Sequence, residues 1–221
     1  MNVFCSNSHG KAILSLISQK RKVPVFNKKS PYFYLVNKNK KHNIYNWSKL
    51  KLIEITDINN NPILIEKKTY KQYRKLKRII KKELDIDIGI KYALRNYDEQ
   101  YKIYMDFCQK YGKEYADKVV CKVGCSEHHT GLCIDLEIKV NNIWVSNNEH
   151  PETTYSILEM IHPYLSNYGF ILRYPGAEYH KTYTEMPYEP WHIRYINSKK
   201  VAKYIEECDI TFEEFYYLNI V

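Results

Sequence analysis

The sequence predicts an α+β domain, a small antiparallel sheet with helices packed on one side and at its edges. Three observations carry that expectation. Residues 133–140 alternate strictly, with Ile134, Leu136, Ile138 and Val140 on one face and Cys133, Asp135, Glu137 and Lys139 on the other. This is the period of a half-buried strand, and it puts Asp135 on the open face. Asn141-Asn142 then lead into Ile143-Trp144-Val145, as a hairpin would. Elsewhere three stretches carry apolar residues at helical spacing. They are Tyr70, Tyr73, Leu76, Ile80 and Leu84; Tyr97, Tyr101, Tyr104, Cys108 and Tyr111; and Tyr155, Leu158, Ile161, Leu165 and Tyr168.

In chain order, residues 1–30 carry little pattern and read as a lead-in. Tyr32 to Val36 and Leu50 to Thr56 are rich in strand formers. Asn59-Asn60-Asn61-Pro62 is a turn signal before a short return strand, Ile63 to Ile65. Residues 1–65 are therefore expected to be an N-terminal extension whose short strands pack on the core, with 66–221 as the principal domain. A helix over Glu66 to Leu84 leads to a buried strand, Ile86 to Tyr92. Asn96 followed by Glu99 starts a helix that runs to about Tyr111, with Gly112 as its stop. The helix from Pro151 to Tyr168 is closed by Gly169, and Pro163 inside it predicts a kink or two shorter helices. Phe170 to Tyr174 reads as a strand, residues 175–187 as a polar loop and Trp191 to Ile196 as the last strand. Ser198 caps a helix through Cys208, and Thr211-Phe212-Glu213-Glu214 is a capping box for a short final helix.

Composition excludes several classes. At 221 residues and 44% hydrophobic, the chain can bury a core without disulfides. No apolar run reaches the length of a membrane span, and the Ala12 to Ile17 run is short for a secretory segment and lacks a cleavage site. No signal peptide, anchor or membrane span is expected. Six cysteines form no disulfide framework, and Cys121, Cys125 and Cys133 lack the second paired knuckle of a thiolate metal site. A reducing, cytoplasmic location is the expectation. The balance of 34 basic against 25 acidic residues gives +9 and invites a nucleic-acid reading. Yet lysine, asparagine, isoleucine and tyrosine are abundant together, and no basic run is interleaved with a base-reading motif. The Lys/Arg stretch from Lys67 to Lys82 is the solvated face of a helix, and no nucleic-acid partner is expected.

Two short stretches carry the chemistry. Ser126 to Asp135 holds His128 and Asp135 with Gly131 between them, and Glu189-Pro190-Trp191-His192 supplies a second imidazole with a carboxylate three residues before it. A hydrolytic zinc site takes three ligands from His, Asp and Glu and leaves a position to water, which the metal acidifies to a pKa of roughly 7. A carboxylate off the metal then moves the proton. His128, Asp135 and His192 would be the ligands and Glu189 the base. Gly131 lets the backbone turn tightly enough to fold His128 over the strand that carries Asp135. His129 is the rival to His128 and is expected to point away, while His42, His150, His162 and His180 read as hydrogen-bonded structural residues.

Ser126-x-His128-x-x-Gly131-x-x-x-Asp135, together with Glu189-Pro190-Trp191-His192-x-Arg194-Tyr195, resembles the VanY-type zinc D-alanyl-D-alanine carboxypeptidases, a group that includes L,D-carboxypeptidases. The segment Ala93-Leu94-Arg95-Asn96-Tyr97-Asp98-Glu99-Gln100 matches the family's Gly-Tyr-Arg-Ser-Tyr-x-x-Gln. The resemblance implies the fold shared by D,D-carboxypeptidases and Hedgehog-like domains, and one Zn2+ per chain on His128, Asp135 and His192. It also implies Glu189 as catalytic base and Arg95 as a catalytic cation at the scissile carbonyl, with Arg95, Gln100 and Ser126 contacting substrate. The implied reaction removes the terminal D-Ala from a peptidoglycan stem peptide or precursor, by a monomer. L,D-cleavage, endopeptidase action on the same polymer and a non-catalytic peptide-binding module are the alternatives, and the retained Glu189 speaks against the last. The chain departs from the family at Ala93-Leu94, at Val123 and at Cys133, which stands where alanine is usual.

Overall fold

A computed structural model describes residues 22–27, 29–39, 42, 44, 50–147 and 149–219. β1 (Leu52–Thr56) and β2 (Pro62–Glu66) form a separate antiparallel hairpin, as the turn signal predicts. Its turn is held by the Asp57 carboxylate, which accepts from the Asn59 and Asn61 amides at 2.7 and 2.8 Å. Glu66 ends the hairpin and caps α1 (Lys67–Leu84) by accepting from Thr69 N at 2.7 Å. Tyr73, Leu76 and Ile80 form the buried stripe of this helix.

The main sheet is antiparallel throughout. Its order is β3 (Asp87–Tyr92), β4 (Cys133–Val140), β7 (His192–Tyr195) and β6 (Phe170–Leu172), with β5 (Ile143–Val145) paired to the far end of β4. On one face α1 and α4 (Pro151–Leu165) meet Ile88, Ile134, Leu136, Ile138 and Ile193 in the principal core. Each fully covered aliphatic side chain there contributes roughly 2 kcal/mol. A second core joins Phe33, Leu35 and Ile171 to α6 (Lys199–Glu207) and α7 (Phe212–Leu218). The caps expected from the sequence are present. Asn96 and Glu99 close a reciprocal box on α2 (Tyr97–Tyr111), Thr211 and Glu214 do so on α7, and Ser198 accepts from Val201 N on α6.

Several expectations are corrected. Tyr32 to Val36 is not a strand: Pro31–Phe33 is a 3-10 turn, and the carbonyls of Tyr32, Tyr34 and Val36 accept from the buried guanidiniums of Arg194 and Arg173 instead of a partner strand. The tyrosine stripe of α2 is not an inner face, since Tyr101 is 56% and Tyr111 50% exposed and Gln100 is the helix's buried residue. Pro163 does not divide α4. The helix continues to Leu165 and gives way to a 3-10 turn, Ser166–Tyr168, so the proline lies in the last turn and the α-helix ends two residues after it. The 175–187 loop contains α5 (Glu178–Thr184), and α3 (Lys113–Val119) follows Gly112. The strand from Phe170 stops at Leu172. β4 is covered on both faces rather than one, so Asp135 lies in a buried polar layer. Among the described residues no helix is long and apolar enough to cross a membrane.

Candidate metal centre and active site

The polar face of β4 and β7 is where the two sequence motifs meet. In the register Asp135 lies opposite His192 and Cys133 opposite Arg194. Ser126 Oγ accepts from His128 N at 3.3 Å and opens a 3-10 turn, Glu127–Thr130. Gly131, at φ 67°, reverses the chain into β4 and leaves His128 folded over the strand. A bulge between Ile90 and Tyr92 then brings the end of β3 across the same site. His128 Nδ1 donates to Ala93 O at 2.6 Å, and Arg95 N donates to His128 O at 3.0 Å.

That bond to Ala93 fixes the tautomer of His128 and turns the Nε2 lone pair toward Asp135 Oδ2, 3.0 Å away. His192 Nδ1 lies 2.8 Å from the other oxygen, Asp135 Oδ1. Lone pairs that face a carboxylate at this range need a cation between them, either a proton or a metal. Separations on the order of 3 Å are also what three donors about 2.0–2.2 Å from one zinc ion require. The charge balance agrees. Burial would lower His128, but Asp135 overrides it and lifts the imidazole to about 9. Against burial, the two imidazoles hold the Asp135 carboxyl well below the usual range. Burial would lower His192 as well, yet Cys133 and Asp135 raise it well above its ordinary value. The residues present fit a divalent metal.

Glu189 stands beside this cluster, with Oε2 3.8 Å from His192 Nδ1. Burial raises its carboxyl to about 7, with Asp135 adding to the rise and the nearby imidazoles opposing it. Arg95 reaches the rim, with Nη2 3.9 Å from Asp135 Oδ2 and the guanidinium over the Tyr92 ring. Gln100 is spent on structure. Its Oε1 accepts from Arg95 Nη1 at 3.0 Å, and its Nε2 donates to Cys121 O at 2.5 Å. Ser126 is buried, with its Oγ accepting from His128 N. His129 points away, with Nδ1 on Arg95 O and Nε2 accepting from Gly124 N. His162 and His180 donate to the carbonyls of Pro190 and Asp209, and His42 pairs with Tyr217.

Two features of the site escape the motifs as read. Under His192 lies a buried charge network in which Glu127 Oε1 accepts from Arg173 Nε and Arg194 Nη1, both at 2.9 Å. Arg173 also forks onto Glu213 at 2.8 and 2.5 Å. His192 Nε2 and Glu127 Oε2, neither hydrogen-bonded, face each other across 3.8 Å. The signal was positional: Glu127 directly precedes His128, and Arg194 shares the strand face of His192 two residues on. The second feature is Cys133, whose thiol the two imidazoles draw down to about 7 against the upward push of burial.

Two imidazoles and a carboxylate converge on an antiparallel sheet, with a carboxyl raised toward neutrality alongside, and form a candidate metal centre. The chain belongs to the VanY D-alanyl-D-alanine carboxypeptidase family, whose model matches residues 62–198, more than half of the chain. It is 30% identical over 162 residues to the bifunctional D-Ala-D-Ala dipeptidase and D-Ala-D-Ala carboxypeptidase VanXYC of Enterococcus gallinarum, covering 73% of this chain and 82% of that one. The LdcB LD-carboxypeptidase structure superposes with a TM-score of 0.71 at 27% identity, covering 86% of this chain and 88% of that one. A VanY D,D-pentapeptidase solved with Zn(II) shares the fold, with a TM-score of 0.66 at 21% identity and coverage of 84% and 99%. The chain spans 42%, 82% and 33% of the lengths of three curated relatives it matches.

Proposed function

We propose that the protein is a zinc-dependent carboxypeptidase that hydrolyses the C-terminal D-Ala peptide bond of peptidoglycan stem peptides. The observation that carries this is Glu189, a largely covered carboxyl raised to about 7 and 3.8 Å from a member of a convergent His-Asp-His donor set. A structural carboxylate in that position would be held ionised, whereas a group poised near neutrality can both take and return a proton. Zinc held by His128, Asp135 and His192 would supply a Lewis acid and an acidified water when bound. Glu189 takes the proton of the attacking water on a carboxylate oxygen and delivers it to the departing D-Ala amine. Arg95, held by Gln100 and the Tyr92 ring, places a fixed cation where negative charge grows on the scissile carbonyl. Gln100 thus serves substrate through Arg95, and Ser126 both orients His128 and contacts the terminal D-Ala.

L,D-cleavage is the second reading, favoured by the likeness to the LD-carboxypeptidase LdcB. Mass spectrometry of muropeptides with penta- and tetrapeptide stems, incubated with the zinc-loaded protein, separates the two. The expected result is loss of one D-Ala from the pentapeptide. Trimming of the tetrapeptide alone transfers the assignment to L,D-cleavage, and no trimming of either sinks the hydrolase reading.

A further inference from the structure

Cys133 is the donor at the centre that the proposed chemistry leaves unused. It is 0% exposed, and it shares its strand face with Asp135 two residues on. Its Sγ and one ring nitrogen each of His128 and His192 all lie within 4.8 Å of one another. A buried cysteine that merely fills space sits among apolar side chains and needs no partner. This one sits in the polar layer, between two imidazoles that also face Asp135.

We propose that Cys133 Sγ is a further protein donor to the ion held by His128, Asp135 and His192. The inference rests on the metal-centre reading above and adds to it a mixed set of two imidazoles, one carboxylate and one thiolate. When the ion binds, the S–H proton leaves to solvent and a sulfur lone pair forms the new bond. A thiolate biases the centre toward Zn2+ and away from the oxygen-seeking Mg2+, Ca2+ and Mn2+. It also competes with water for the position that a catalytic zinc site keeps open. With the thiolate bound, the proposed water would need the coordination shell to expand to five, as catalytic zinc sites can.

Cobalt(II) loaded in place of zinc tests this without measuring activity. A sulfur ligand produces an intense sulfur-to-cobalt charge-transfer absorption in the near ultraviolet, whereas imidazole and carboxylate ligands produce only the weaker visible bands. The wild-type protein is expected to show both with one cobalt per chain. Cys133→Ala and Cys133→Ser are expected to lose the near-ultraviolet absorption and keep the visible bands. Wild-type protein with the visible bands alone overturns the thiolate ligand and leaves the His-Asp-His centre standing, as does near-ultraviolet absorption that survives in both variants. A wild-type protein that takes up no cobalt overturns both readings.

Discussion

Glu127 and Glu189 flank the same imidazole, one 3.8 Å from His192 Nε2 and the other 3.8 Å from His192 Nδ1. The Glu127 side chain is fully buried and that of Glu189 is 14% exposed, and their carboxyls are shifted in opposite directions. Burial pushes both upward, but Arg173 and Arg194 overwhelm it at Glu127 and keep that carboxyl ionised well below the usual range. Among the described residues no guanidinium is hydrogen-bonded to Glu189, so burial wins and its carboxyl rises to about 7. The difference separates structure from chemistry. A carboxylate fixed by two cations can only position its neighbours, whereas one left near neutrality can exchange a proton.

Breaking the Glu127 side of this contrast has the largest expected effect on folding. Glu127→Ala leaves two fully buried guanidiniums with one carboxylate between them. Removing one partner of such a network costs about 3–5 kcal/mol, read as a lowered midpoint in urea unfolding. Because the folded Glu127 carboxyl lies below its ordinary 4.5, its contribution is present above that pH and fades as the pH falls beneath it. The gap between wild type and variant therefore narrows in acid. A variant as stable as wild type at neutral pH would remove Glu127 from the structural side.

Glu189 titrates with the opposite sign. In metal-free protein its folded value is about 7 against an ordinary 4.5, so the folded state binds the proton more tightly. The stability this gives is complete below about pH 4.5 and disappears as the pH rises through 7. Glu189→Gln does not titrate, and between pH 5 and pH 8 it should gain on wild type by an amount on the order of 2 kcal/mol. Urea unfolding of both proteins in chelator at the two pH values checks the sign, and a gain for wild type would reverse the assignment. The smallest effect belongs to an exposed polar contact. Asn96→Ala opens the capping box of α2 and should cost about 1 kcal/mol in the same assay. A loss equal to that of Glu127→Ala would mean that the buried Glu127 network is worth no more than an exposed polar contact.

What the sequence discloses follows the same division. The strands and helices with one apolar face are legible, because Ile134, Leu136 and Ile138 or Leu76 and Ile80 repeat the period of the element that buries them. Local polar devices are legible too, since Asn96 with Glu99 and Thr211 with Glu214 are only three residues apart. His128, Asp135, His192 and Glu189 do converge as their two motifs suggest. The Glu127 network is hidden because its members meet across 46 and 40 residues, and no local pattern marks a buried ion pair. The segment from Tyr32 to Val36 misleads for a related reason: its strand-forming side chains are real, but arginines rather than a ladder satisfy its carbonyls. α2 misleads through tyrosine, which keeps helical spacing even on an exposed face.

The central claim is that Glu189 moves protons and does not hold the metal. Zinc content and release of D-alanine from a peptide ending in D-Ala-D-Ala, measured on the same preparations of wild type and Glu189→Gln, test it directly. The account predicts equal zinc in both and a loss of turnover of about 10²–10⁴-fold in the variant. Wild-type turnover in the variant, or zinc lost together with activity, would contradict it.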